Sequence, residues 1–153
     1  MPNLEEAALW LGQSEMDLDT ARKMADAAPY AACFYAQQAA EKALKAVCLA
    51  ASGVVPPRIR SVGRLISGLM DTYGQFKPFL DSAAQLDSYY IGTRYPHAEL
   101  GQVPGRSYTS RNAHDAVQAA EPMVRECQLV YGGLVEAARA SREKRLRGPR
   151  PER

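Results

Sequence analysis

One spacing near the end of the chain constrains its fold more than any other feature. Ala113, Val117, Ala120, Val124, Cys127, Tyr131, Leu134 and Ala138 follow one another at alternating intervals of four and three residues. That is the apolar seam of a long helix packed in a bundle. Ser110 or Thr109 can cap its start. Pro122 falls inside it and is expected to kink it.

The rest of the chain carries the same period. Leu4, Leu11, Leu18 and Ala25 repeat every seven residues, which predicts a first helix from about Asn3 to Ala27. Asn3 is a candidate N-cap, and Glu5 and Glu6 suit the positive end of the helix dipole. A second helix is expected from about Tyr30 to Ser52, with Phe34, Ala39, Ala43, Leu44, Val47 and Ala51 facing the core and Gly53 as its stop. Its alanines allow close approach of a neighbour. A basic connector with Arg58, Arg60 and Arg64 leads to a third helix, about Val62 to Tyr73. A fourth is expected from about Pro78 to Tyr90, with Phe79, Leu80, Ala83, Leu86 and Tyr90 inward. Residues 91–108 read as irregular, a length of loop that is often functional. No run alternates with period two, so no strand is expected. With 153 residues, the chain suits one core. The expectation is an all-α, antiparallel four- to five-helix up-and-down bundle over residues 1–138.

Residues 139–153 differ in kind. They hold seven basic and two acidic residues, net +5, while the body holds 12 basic and 15 acidic, net −3. With almost no apolar side chains, this segment is expected to be a disordered basic tail, able at most to touch nucleic acid electrostatically. No apolar run approaches the roughly 20 residues that cross a bilayer. The start, Met1-Pro2-Asn3-Leu4-Glu5-Glu6, lacks the basic and apolar parts of a signal peptide. Cys33, Cys48 and Cys127 are odd in number, form no CxxC and read as buried reduced thiols. A cytoplasmic location, no membrane contact, no metal and no cofactor are expected.

Two clusters could carry chemistry. Gln38, Glu41, Lys42 and Lys45 share one face of the second helix at three- and four-residue spacings, and Glu41 and Lys45 are a favourable pair. In the segment Tyr89-Tyr90-Ile91-Gly92-Thr93-Arg94-Tyr95-Pro96-His97, Arg94 suits phosphate or carboxylate, and tyrosines offer flat faces and hydroxyls. If Lys42, Lys45 and Arg94 converged on the single carboxylate of Glu41, the surplus charge would invite an anion.

These clusters, in this order, resemble the HEPN domain, the nucleotide-binding domain named for higher eukaryotes and prokaryotes. The matching pieces are Ser14-Glu15-Met16-Asp17-Leu18, the string Phe34-Tyr35-Ala36-Gln37-Gln38-Ala39-Ala40-Glu41-Lys42-Ala43-Leu44-Lys45-Ala46, Thr93-Arg94-Tyr95-Pro96, and Tyr108 ahead of the last helix. The resemblance covers about residues 4 to 135. It implies a helical bundle, commonly a homodimer, often encoded beside a small nucleotidyltransferase and acting with it as a toxin–antitoxin pair. Gln38, Glu41, Lys42, Lys45, Arg94 and Tyr95 would then line a site for a nucleotide or RNA. Some family members are metal-independent ribonucleases in which four to six residues separate an arginine from a histidine. Here Arg94 precedes His97 by three positions, and Arg111 precedes His114 by three. A general acid–base at that spacing is therefore missing. Ile59-Arg60-Ser61 also stands where relatives often have Thr-His-Asp. The leading expectation is a nucleotide-binding partner of a nucleotidyltransferase. The alternatives are a ribonuclease using Arg94 and His97, and a ligand-free helical adaptor.

Overall fold

The computed structural model describes residues 2–56, 58–96, 101 and 103–148. Every described element is helical: α1 (Leu4–Met24), α2 (Pro29–Ser52), α3 (Val62–Leu69), α4 (Leu80–Asp87), α5 (Tyr89–Gly92), α6 (Pro104–Ser107) and α7 (Ser110–Arg147). A 3-10 turn, Gly74–Phe79, leads into α4.

The long helices start and stop where their caps dictate. The Asn3 side chain accepts a hydrogen bond from the Glu6 amide at 3.0 Å, satisfying one orphan donor of α1. Pro29 opens α2 with its fixed φ, and Gly53 closes it in the left-handed region, at φ 79°. Thr109 and Asn112 cap α7 reciprocally, the amide of each bonded to the side chain of the other at 2.9 and 3.2 Å.

Packing follows from small side chains. Ala7 and Ala21 of α1 and Ala32, Ala36, Ala39, Ala40, Ala43 and Ala46 of α2 are fully enclosed. With so little bulk between them, α1 and α2 lie close along their whole length. The Asn3 amide reaches the Leu49 carbonyl and Ser14 Oγ reaches that of Ala39, so the two helices run antiparallel. α1 is antiparallel to α7 as well, since Tyr131 Oη bonds the Leu4 carbonyl and Arg22 pairs with Glu121. α2 thus sits at the centre, covered by α1 and α7 and, at its sides, by the shorter helices. Of its 24 residues, 14 are buried, which is why it reads as apolar nearly all round. The up-and-down arrangement stands, with short helices filling the place of a further long one.

Several boundaries differ from expectation. α1 ends at Met24 rather than Ala27, and α3 at Leu69 rather than Tyr73. The expected fourth helix divides into the 3-10 turn, α4 and α5. The division changes the register, so Tyr89 is buried and Tyr90 only half-buried. Phe34 is half-buried too, while Phe76, in the 3-10 turn, is a fully enclosed core residue. The stretch expected to be irregular holds the end of α5 and all of α6. α7 is one helix of 38 residues, continuous past Pro122, whose exposed flank leaves the carbonyl it orphans open to water. It extends to Arg147, and residues 139–147 are exposed throughout.

Among the described residues no helix is long and apolar enough to cross a membrane. The three cysteines are free, and burial pushes the Cys33 thiol up to about 12 and the Cys48 thiol up to about 11.

Candidate functional site

The polar face of α2 is held down against α1. Glu41 and Lys45 are only 6% and 8% exposed, and Lys45 Nζ donates to Glu41 Oε1 at 2.7 Å. A surface pair at this spacing contributes roughly 0.3–0.5 kcal/mol. Breaking a buried pair costs about 3–5 kcal/mol, because one charge is left alone. The other Glu41 oxygen accepts from Gln37 and from Gln38, both at 3.2 Å. Gln38 also donates to Gln37 Oε1 at 2.7 Å. Gln37 is fully enclosed and reaches the Arg60 carbonyl at 3.0 Å, tying this network to the connector before α3. Trp10 of α1 lies 5.8 Å from Lys45 Nζ, so the cation rests over an aromatic face.

Lys42 takes a different partner. Its ammonium bonds Asp17 of α1, which is 4% exposed and also accepts from Gln13 at 2.9 Å. The expected surplus of three cations around Glu41 is therefore not built. Asp17 neutralises Lys42 and Glu41 neutralises Lys45, a carboxylate for each ammonium. Among the described residues no buried side-chain nitrogen or oxygen of this seam lacks a partner.

The unbalanced charge lies at the aromatic end of the face. The Arg94 guanidinium stands 4.2 Å from the ring centre of Tyr90, 5.0 Å from that of Phe34 and 5.1 Å from that of Tyr95. Its Nε donates to the Tyr90 carbonyl at 2.8 Å, which fixes the head of an otherwise flexible side chain. Arg60 approaches the same ring from the connector, 5.6 Å from its centre, and donates to the Tyr90 hydroxyl. Burial pushes the Tyr90 hydroxyl up, but hydrogen bonds and charge from Arg60 and Arg94 outweigh it and hold it below the usual tyrosine value. Both arginines are exposed, and neither has a carboxylate partner among the described residues. Two cations beside exposed aromatic surface can hold a phosphate and stack a base.

The segment that presents Arg94 is braced from behind. Thr93, 1% exposed, donates to the Tyr89 carbonyl. Tyr89 meets Tyr108 edge to face, with ring centres 6.0 Å apart. The Tyr108 hydroxyl fills the space beside Gly92, where a Cβ would lie 2.5 Å from it. At the C-terminal end of α4, just ahead of α5, Asp87 accepts from the Val62 and Gly63 amides at 2.6 and 3.0 Å and from Ser61 Oγ at 2.7 Å. It caps α3 across the fold and so holds the connector that carries Arg60.

The structure thus brings Gln38, Glu41, Lys42 and Lys45 onto the α1–α2 seam, and Arg94 and Tyr95 onto the aromatic face beside Phe34. His97 lies outside the described residues. His114 is exposed and pairs with Asp26 at 3.1 Å. Sequence reasoning missed Arg60 as a partner of Arg94, and took Tyr90 and Phe34 for core. It noted Asp17 only as a neighbour of the apolar stripe. The available signal was the run of tyrosines, Tyr89, Tyr90 and Tyr95, close to Arg94 in the sequence. No group of three potential metal ligands occurs among the described residues.

Fold and site define a small helical bundle with a charge-paired seam on its central helix and a cationic aromatic face beside it. The chain belongs to the HEPN domain family. The family model of the HEPN domain matches residues 7–130. The crystal structure of TT1696 from Thermus thermophilus is similar at 34% identity and a TM-score of 0.74, covering 81% of this chain and 97% of that one. ST0689, an archaeal HEPN homologue, is similar at 30% identity and a TM-score of 0.63, covering 88% of this chain and 99% of that one. Comparison with curated proteins finds no match.

Proposed function

We propose that this HEPN protein is a nucleotide-binding subunit that works as a homodimer beside a small nucleotidyltransferase, in a toxin–antitoxin module. The observation that supports it best is the pair of exposed guanidinium groups, Arg60 and Arg94, on either side of Tyr90, with Phe34 and Tyr95 beside them. Arg94 meets a phosphate oxygen, Arg60 adds a second charge, and Tyr95, 54% exposed, stacks on the base. The seam residues Gln38, Glu41, Lys42 and Lys45 act as the rigid floor of this site, since their own charges are already paired.

Calorimetric titration with ATP and AMP tests the reading. Wild type binds, and Arg94→Ala weakens binding by about tenfold or more, the scale of a lost charge-assisted hydrogen bond. The folding stability of Arg94→Ala falls by no more than about 1.5–3 kcal/mol, because the variant loses three exposed cation–π contacts that contribute about 0.5–1 kcal/mol each. Absence of nucleotide binding at millimolar concentration, together with a large loss of stability in Arg94→Ala, assigns the cluster a structural role and leaves a ligand-free adaptor.

A further inference from the structure

A second concave site lies away from the arginine–aromatic face, between the C-terminal half of α2, the connector that follows it and α3. It is a cleft of about 580 Å³, inside the range of roughly 300–1,000 Å³ that holds a small organic molecule. Ala51, Val54, Pro56 and Ile59 make its apolar walls over Leu65 and Leu69, and Cys48 stands among them as a neutral thiol.

Its one charged lining group is a cation, and the rest of its polar lining is the hydroxyl residues Ser52, Thr72 and Tyr73. Arg64 lines it, exposed, with no carboxylate partner among the described residues. The Tyr73 hydroxyl is a further donor at the wall. Among the described residues no aspartate or glutamate lines the cleft. Gly68 keeps it open: a Cβ there would meet nothing within 4 Å, although the residue sits inside a helix where glycine is unfavourable.

We propose that this cleft binds a small amphipathic carboxylate, an apolar body of one or two rings or a branched chain carrying a single anionic head. The body lies against Ala51, Leu65 and Leu69, and the head meets the Arg64 fork, which matches a carboxylate with two parallel hydrogen bonds. Burial of the apolar body supplies most of the affinity, and Arg64 selects the charged head over its neutral analogue.

The probe is 2-naphthoate, with 2-naphthamide as its uncharged analogue, titrated calorimetrically into the full chain. Naphthoate binds wild type with one site per chain, and naphthamide binds at least tenfold more weakly. Arg64→Gln reduces the preference for naphthoate over naphthamide to near unity. Gly68→Leu fills the cleft and abolishes binding of both, while its far-ultraviolet circular dichroism stays helical, since leucine favours a helix more than glycine does. Arg94→Ala leaves naphthoate affinity unchanged, which separates this site from the nucleotide reading. The proposal is overturned if naphthoate fails to bind at millimolar concentration. It is equally overturned if Arg64→Gln keeps the full preference for the anion, or if a folded Gly68→Leu still binds. Should Gly68→Leu lose its fold, the Arg64→Gln comparison decides alone.

Discussion

At the scale of single residues, Tyr90 and Gly92 carry the sharpest consequences. Two guanidinium groups hold the Tyr90 hydroxyl below its ordinary value against the opposing effect of burial. A tyrosine ordinarily titrates near about 10, so at neutral pH Tyr90 is protonated folded or unfolded and contributes no pH dependence there. With the folded value depressed, the extra stability is present above the unfolded value and is lost as pH falls through the folded one. Ultraviolet difference titration is therefore expected to find one phenol ionising ahead of the others, and Arg60→Ala to return it upward. An unchanged titration in that variant would remove Arg60 from the contact. Gly92 presents a steric case. A methyl there would stand 2.5 Å from the Tyr108 hydroxyl, and forcing such overlap costs about 1–3 kcal/mol. Gly92→Ala should lower stability by that much in urea unfolding. Adding Tyr108→Phe should recover most of it, since the next ring atom lies 3.9 Å away.

At the scale of elements, the caps explain what could and could not be read from the sequence. Asn3, Gly53 and Thr109 act on their own helices, within three or four residues, and α1, α2 and α7 were legible for that reason. The cap of α3 is partly remote: Asp87 reaches it across 24 to 26 positions, and no local spacing announces such a pairing. Asp87→Ala should cost about 1–3 kcal/mol, the scale of a lost charged cap. Hydrogen exchange at the start of α3 should rise with it, and exchange confined to wild-type rates would show that Ser61 suffices. The same limit applies to the site. Spacing placed Gln38, Glu41, Lys42 and Lys45 on one face, but a stripe at that spacing is written identically whether water or another helix covers it. Trp10 and Asp17, both on α1, decide the matter. The short elements α5 and α6, four residues each, span barely one turn, too little for a period to show, so Tyr89 and Tyr90 exchanged their expected roles.

At the scale of the molecule, the design is one central helix wrapped by two long ones and a set of short ones. α7 outruns that design, with residues 139–147 exposed and rich in arginine and lysine. Removing residues 139–153 should leave the calorimetric unfolding midpoint nearly unchanged, because the described part buries so little. It should also make any nonspecific nucleic-acid binding less dependent on salt. A marked drop in the midpoint would mean that the segment is part of the cooperative unit.

The placement of the two halves of the arginine–aromatic face has a consequence for how the protein opens. Phe34 rides on α2, enclosed by neighbours for most of its length, while Arg94 follows the four-residue α5. Segments with few enclosing contacts open at low free energy while the enclosed core stays closed. The face would then come apart on one side only, where Arg94 and Tyr95 are exposed, while the buried Tyr89 and Thr93 hold the segment's base and α2 stays intact. A ligand bridging the halves would slow amide exchange in that short segment far more than in the helix beneath it.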